Sequence, residues 1–114
     1  MKIVLHKTFG AFRLPTVALE RLAHLKGIPL YKQETNGWVG YYTSPCFAEI
    51  SFWSPYDWDR TDPDLATVVE ELGETATNGL VVRDMHSGQQ YRIREYDGKE
   101  WLEFPSDIKW EIAK

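Results

Sequence analysis

The chain carries one cysteine, Cys46, in 114 residues. A lone cysteine excludes an intramolecular disulfide and any zinc site built from several cysteines, and it fits a reducing compartment. No apolar run reaches the roughly 20 residues that span a bilayer. The opening Met1 to Lys7 is too short in apolar residues for a secretory signal. The expectation is therefore a cytoplasmic protein with no membrane partner. Positive charge is also scarce: 13 Lys and Arg stand against 17 Asp and Glu, a net charge of −4. Nonspecific nucleic-acid binding draws its affinity from phosphate neutralisation and is not expected. A local basic patch stays open, with Arg83, Arg92 and Arg94 as candidates. Internal repeats, low-complexity tracts and linkers are absent from the sequence.

Aromatic residues are abundant, with 5 Trp, 6 Tyr and 5 Phe. A disordered chain has few of them. A chain of this length buries a core without metal or disulfide support, so residues 1–114 read as one domain.

The pattern mixes two periods. Lys2 to Leu5 is a short apolar strand. Pro15 opens a helix at its first turn, where its missing N–H costs nothing. Leu14, Ala18, Leu22 and Leu25 form that helix's apolar face, and Gly27 ends it. Two strands follow, Ile28 to Gln33 and Trp38 to Thr43, joined through Asn36-Gly37. Phe47 to Trp53 alternates as a further strand. A loop rich in aromatics runs from Ser54 to Thr61. Asp62 then caps a second helix with Pro63 at its first position. Leu65, Val68, Val69, Leu72 and Ala76 make its buried stripe, and Asn78-Gly79 stops it. The remainder reads as strands: Leu80 to Met85 and Tyr91 to Tyr96 flank a Ser87-Gly88 turn. Asp97-Gly98 leads into Glu100 to Phe104, and Ile108 to Ile112 alternates once more. The sum is a single α+β domain, a largely antiparallel twisted sheet with two amphipathic helices. Its exposed edges favour a homo-oligomer.

Three blocks in this frame resemble a family of small uncharacterised bacteriophage and prophage proteins. They are Lys2-Ile3-Val4-Leu5-His6-Lys7, the helix from Asp62-Pro63 through Val68-Val69-Glu70-Glu71-Leu72-Gly73-Glu74, and Glu95-Tyr96-Asp97-Gly98 with Ile93 before it. Between Val81 and Gln90 the chain departs from the family pattern. It carries Arg83, Met85 and His86 where the family runs through an acidic, Pro-containing turn. The resemblance implies a phage setting inside a bacterial host cell. It supplies no catalytic residue.

The side chains offer little chemistry and some recognition. His6, His24 and His86 lie on different elements without metal-ligand spacing, so no metal or other cofactor is expected. Glu70, Glu71 and Glu74 read as a solvated helix face. Cys46 reads as a small half-buried residue. No nucleophile elbow or phosphate-binding loop is present. The aromatic and arginine set is more suggestive: Trp53, Tyr56, Trp58 and Arg60 crowd one loop. Arg92, Arg94 and Tyr96 share one face of their strand, next to the strand that carries Arg83. Rings that stack on a base and guanidinium groups that fork onto phosphate suit a nucleotide pocket, with Lys7 as a further phosphate holder. The same residues also suit a bland reading, in which the rings cap the core edge and the arginines pair with Glu95 or Glu103.

The expected function, joining this set to the phage setting, is counteraction of a bacterial defence by binding and sequestering a small nucleotide signal without catalysis. Two alternatives stay open. One is a protein-binding inhibitor of a host nuclease or defence effector, docking through Tyr41-Tyr42 and the tryptophan loop. The other is a small nucleotide-processing enzyme.

Overall fold

The first strand explains the layering. Ile3, Val4 and Leu5 are all buried, and a run apolar on both faces must be covered on both sides. In the computed structural model, which describes residues 1–10, 14–47, 52–53 and 59–114, β1 (Lys2–His6) lies between two such covers. It pairs antiparallel with β4 (Leu80–Asp84), with Val4 opposite Val82. On one side Val4 and Leu80 join the core formed by two helices, α1 (Thr16–Lys26) and α2 (Pro63–Ala76). On the other side Ile3, Leu5 and Met85 meet Ile93, Leu102 and Phe104. Ile93 and Leu102 belong to a hairpin of β5 (Arg92–Tyr96) and β6 (Lys99–Glu103). A second hairpin, β2 (Tyr31–Thr35) with β3 (Trp38–Tyr42), contributes Tyr41 to the helical core. The fold is α+β, and among the described residues the strand pairing is antiparallel, divided among three two-stranded ladders. Among the described residues no helix is long and apolar enough to cross a membrane.

Local signals account for the helix ends. Asp62 Oδ1 accepts a hydrogen bond from the Asp64 N–H at 2.9 Å, with Pro63 at the first helical position. Asp62 also holds Lys26 of α1 at 2.7 Å, so one carboxylate caps α2 and ties the helices together. Asp62→Ala is expected to cost about 1 kcal/mol, the usual value of a cap, read as a lower urea midpoint with unchanged slope. Gly27 ends α1 in the left-handed conformation, φ 68°. The buried face of α1 is Ala18, Leu19, Leu22 and Ala23, while Leu25 is exposed. The stripe is rotated toward Leu19, which joins the core shared with α2. In α2 the stripe holds at Leu65, Val68 and Val69 and fades at the half-buried Leu72. Gly73 has φ 86° and ψ 169° and kinks the helix, which turns Ala76 outward.

Buried Tyr41 donates from its hydroxyl to Glu20 Oε1 at 2.8 Å. Burial first, and then this hydrogen bond to a carboxylate, push its pKa up to about 12. A raised folded-state pKa gives stability that is complete below pH 10 and is lost as pH rises toward 12. The loss should be about 2 kcal/mol, measured by urea unfolding at pH 9 and pH 12. Tyr41→Phe should flatten that dependence; an equal fall in the variant would assign it to other groups.

Several sequence expectations are corrected. Ile108 to Ile112 is not a strand: a 3₁₀ turn at Pro105–Asp107 follows β6, and the chain beyond it has no regular structure. Trp110 and Ile112 are 89% and 87% exposed, so alternation there found no sheet to join. The strand that starts at Leu80 pairs with β1, not with the strand after Ser87-Gly88. That arrangement lets its apolar side chains face the helices and the β5–β6 hairpin at once. The first strand of the β2–β3 hairpin starts at Tyr31, three residues later than its sequence suggests. The strand expected from Phe47 does not start there, because Phe47 has φ 54°. Residues 48–51 of that strand lie outside the described residues, and Phe52 makes an isolated bridge to Tyr42. Cys46 is exposed, not half-buried.

Candidate functional site

The β5–β6 hairpin turns on Asp97-Gly98, with φ 49° and 90°. Two successive positive φ values match the twist of the flanking strands. Because side chains alternate, Ile93 and Leu102 go to the core, and Glu100 goes with them toward Arg60. Arg92, Arg94 and Tyr96 stand on the other face, as their spacing predicts. Across the register they meet Glu103, Trp101 and Lys99 respectively.

The residues singled out in the sequence are distributed over different places. Arg60 is engaged from within. Its Nη1 and Nη2 donate to Glu100 Oε1 and Oε2 at 2.5 and 2.9 Å. It lines a cavity with Glu95, Asp97 and Glu100, a carboxylate-rich wall unsuited to phosphate. Arg92 pairs with Glu103, as the bland reading has it, and Arg94 Nη1 lies 3.9 Å from the same carboxylate. Arg92 borders an open cavity of about 500 Å³ with Gln89, Tyr91 and Phe104. Tyr96 is 66% exposed, and Phe9 stands edge-on to its ring at 6.4 Å. Trp53 is half-buried against the helical core, and its backbone N–H donates to the Tyr41 carbonyl oxygen at 2.9 Å. Tyr56 and Trp58 lie outside the described residues.

Lys7 is placed with residues the sequence did not group with it. A cavity of about 330 Å³ opens between the β1–β4 ladder and β6. Its apolar floor is Leu5, Val81 and Leu102, and its rim carries Lys7, Arg83, Lys99 and Trp101. Glu100 also reaches it, but that carboxylate is neutralised by Arg60. Among the described residues no carboxylate pairs with Arg83 or Lys99. Lys7 Nζ lies 3.9 Å from the carboxylate of Glu74. Three cations around one aromatic wall, in a chain of net charge −4, make a local field for an anion. Trp101, which lines the same cavity, is 43% exposed.

Arg83 was a sequence candidate for a basic patch. Lys99 and Trp101 were missed, although the Asp97-Gly98 turn pairs residues 94 with 101 and 96 with 99, and so already placed both on the Arg94–Tyr96 face. The acidic helix face is solvated and cross-linked: Glu70 pairs with Lys2 at 2.6 Å and Glu71 with Arg21 at 2.9 Å. Among the described residues no three His, Cys, Asp or Glu side chains group to hold a metal ion.

A separate aromatic patch lies on the β2–β3 hairpin. Trp38 stacks on Phe52 at 5.9 Å, and Tyr42 contacts Phe52 and Phe47 at 5.3 and 5.4 Å. Trp38, Phe52 and Phe47 are exposed. No family model, no curated protein and no solved structure matches the chain.

Proposed function

We propose that this protein binds a small nucleotide without catalysis, in the cavity between the β1–β4 ladder and β6. The observation that carries the reading is the convergence of Lys7, Arg83 and Lys99 on the wall formed by Trp101. The indole stacks on the base, an interaction worth about 1–3 kcal/mol in single-strand binding proteins. The three cations hold the phosphates, with Arg83 supplying the forked donor. Joined to the resemblance to phage proteins, this makes the protein an accessory factor that counters a bacterial defence inside the host cell by sequestering a nucleotide signal.

The test is thermal unfolding against mono-, di- and cyclic nucleotides, with and without Mg²⁺. Ligand at about 100 times its dissociation constant should stabilise the fold by about 2.7 kcal/mol. Arg83→Ala with Lys99→Ala should abolish the shift. Both side chains lie on the rim, so the unliganded melting temperature should hold. A shift that survives this double substitution would place the ligand elsewhere. Recovery of the nucleotide intact after denaturation separates binding from processing.

A second reading has its own observation. The exposed Trp38–Phe52 stack, with Tyr42 and Phe47, is the kind of aromatic cluster that anchors protein interfaces. It supports docking on a host nuclease or defence effector. Trp38→Ala should then abolish capture of one stoichiometric host protein and leave nucleotide binding intact. Strand edges that find no partner in the same chain favour association of copies, to be read by light scattering of the eluted protein.

A further inference from the structure

We infer that the ligand carries two bases joined through phosphate, and that Tyr96 seats the second base; this rests on the nucleotide reading above. Lys99 and Trp101 line the cavity and also belong to the outer face of the β5–β6 hairpin. Trp101 and Lys99 are two residues apart on β6 and share that face. Tyr96 sits directly across the ladder from Lys99. Lys99 thus stands between two exposed rings.

The spacing suits a dinucleotide. Directly opposed side chains on an antiparallel pair start about 4.5–5.5 Å apart, and diagonal ones about 7–8 Å apart. Tyr96 and Trp101 are a diagonal pair. Sheet-borne aromatics at such positions stack successive bases in single-strand binding modules. The two bases would lie on Trp101 and Tyr96, with the linking phosphate at Lys99.

Tyr96 is prepared for this role. Phe9 makes a T-shaped contact with its ring, centres 6.4 Å and planes 78° apart, so the ring already has a neighbour. Lys99 Nζ lies 6.0 Å from the Phe9 ring centre. Phe9 and Lys99 therefore group with Tyr96 before any ligand arrives. Arg94, across from Trp101, adds a cation beside the first base. Its nearest carboxylate is Glu103 at 3.9 Å, which Arg92 also engages.

The source of such a ligand can be a free dinucleotide or a stretch of single strand, and length separates the two. The experiment is calorimetric titration with AMP, linear pApA, cyclic diadenylate and a hexa-adenylate. The dinucleotides should bind at least tenfold more tightly than AMP, the lower part of the range for one added stack. Tyr96→Ala should bring that ratio close to one. Affinity that peaks at two bases identifies a free dinucleotide. Affinity that keeps rising to six bases identifies a single strand, with the same two-base unit at its centre. Equal affinity for AMP and both dinucleotides would overturn the two-base site and leave the nucleotide reading standing. So would a dinucleotide preference that survives Tyr96→Ala. No binding by any of the four would overturn both.

Discussion

Arg60→Ala is expected to lower the unfolding free energy by about 3 kcal/mol, without any ligand present. Arg60 came out of the sequence as a phosphate holder in an aromatic loop. In the fold its guanidinium is turned inward and held by both oxygens of Glu100. The two side chains keep only 21% and 11% of their exposure. Glu100 Oε1 also accepts the His6 backbone N–H at 2.9 Å, and the Arg60 carbonyl accepts the Val4 N–H at 2.8 Å. The pair thus ties the segment before α2 to β1 and to β6. Deleting the arginine leaves a carboxylate with little water and one remaining donor. Breaking a buried pair from one side typically costs about 3–5 kcal/mol, and the residual exposure of Arg60 sets the expectation at the low end. The melting temperature should fall by roughly 10–15 °C for a chain of this size. Replacing both partners, Arg60→Met with Glu100→Leu, should recover part of the loss: no unpaired charge is then buried, although the His6 N–H loses the Glu100 acceptor. A single Arg60→Ala variant that unfolds within about 0.5 kcal/mol of the parent, the range of a plain surface change, would return Arg60 to the surface role its sequence context suggested.

That example shows where sequence reading succeeds and where it stops. The helix starting at Asp62-Pro63 was legible because the cap, the proline and the apolar stripe are local and agree with one another. The Asn36-Gly37 and Asp97-Gly98 turns were legible for the same reason. A two-residue turn needs positive φ at both positions, and the structure shows it at all four residues. The α+β class followed from those elements. The partner of the strand after α2 was not legible. Leu80 to Asp84 could pair with the next strand or with the first, and only the shared core decided for the first. The 108–112 segment alternates like a strand, but alternation records a face and not a neighbour. Within the candidate site, Arg92, Arg94 and Tyr96 sit on the face that the two-residue period assigns them. Lys7, Arg83 and Trp101 come together only because β1–β4 and β6 pack across Leu5 and Leu102. That contact joins residues nearly a chain length apart and leaves no local trace.

Gly98→Ala tests that packing directly. At Gly98 a Cβ would stand 1.5 Å from the Gly10 carbonyl oxygen and 2.8 Å from its nitrogen. Backbone atoms cannot rotate away as a side chain can, so either residues 8–10 or the hairpin turn must move. The same spot is bonded on several sides. Gly10 N–H donates to Asp97 O at 2.6 Å, and His6 Nδ1 lies 2.9 Å from Gly98 O. Displacing the turn weakens both contacts. Two costs therefore add: a left-handed alanine, about 1–2 kcal/mol, and overpacking, about 1–3 kcal/mol. The expected total is about 3–4 kcal/mol. Gly37 provides the control, since it holds the equivalent turn position in the β2–β3 hairpin with φ 78° and nothing within 4 Å of a built Cβ. Gly37→Ala should show only the conformational part, about 1–2 kcal/mol. The difference between the two variants, read from urea midpoints, isolates the approach of residue 10 to the turn. Equal losses would mean that the β5–β6 hairpin does not dock on the chain at Gly10. The cavity wall at Trp101 and the position of Tyr96 depend on that hairpin being held in place, so a large difference is also what the proposed nucleotide site requires.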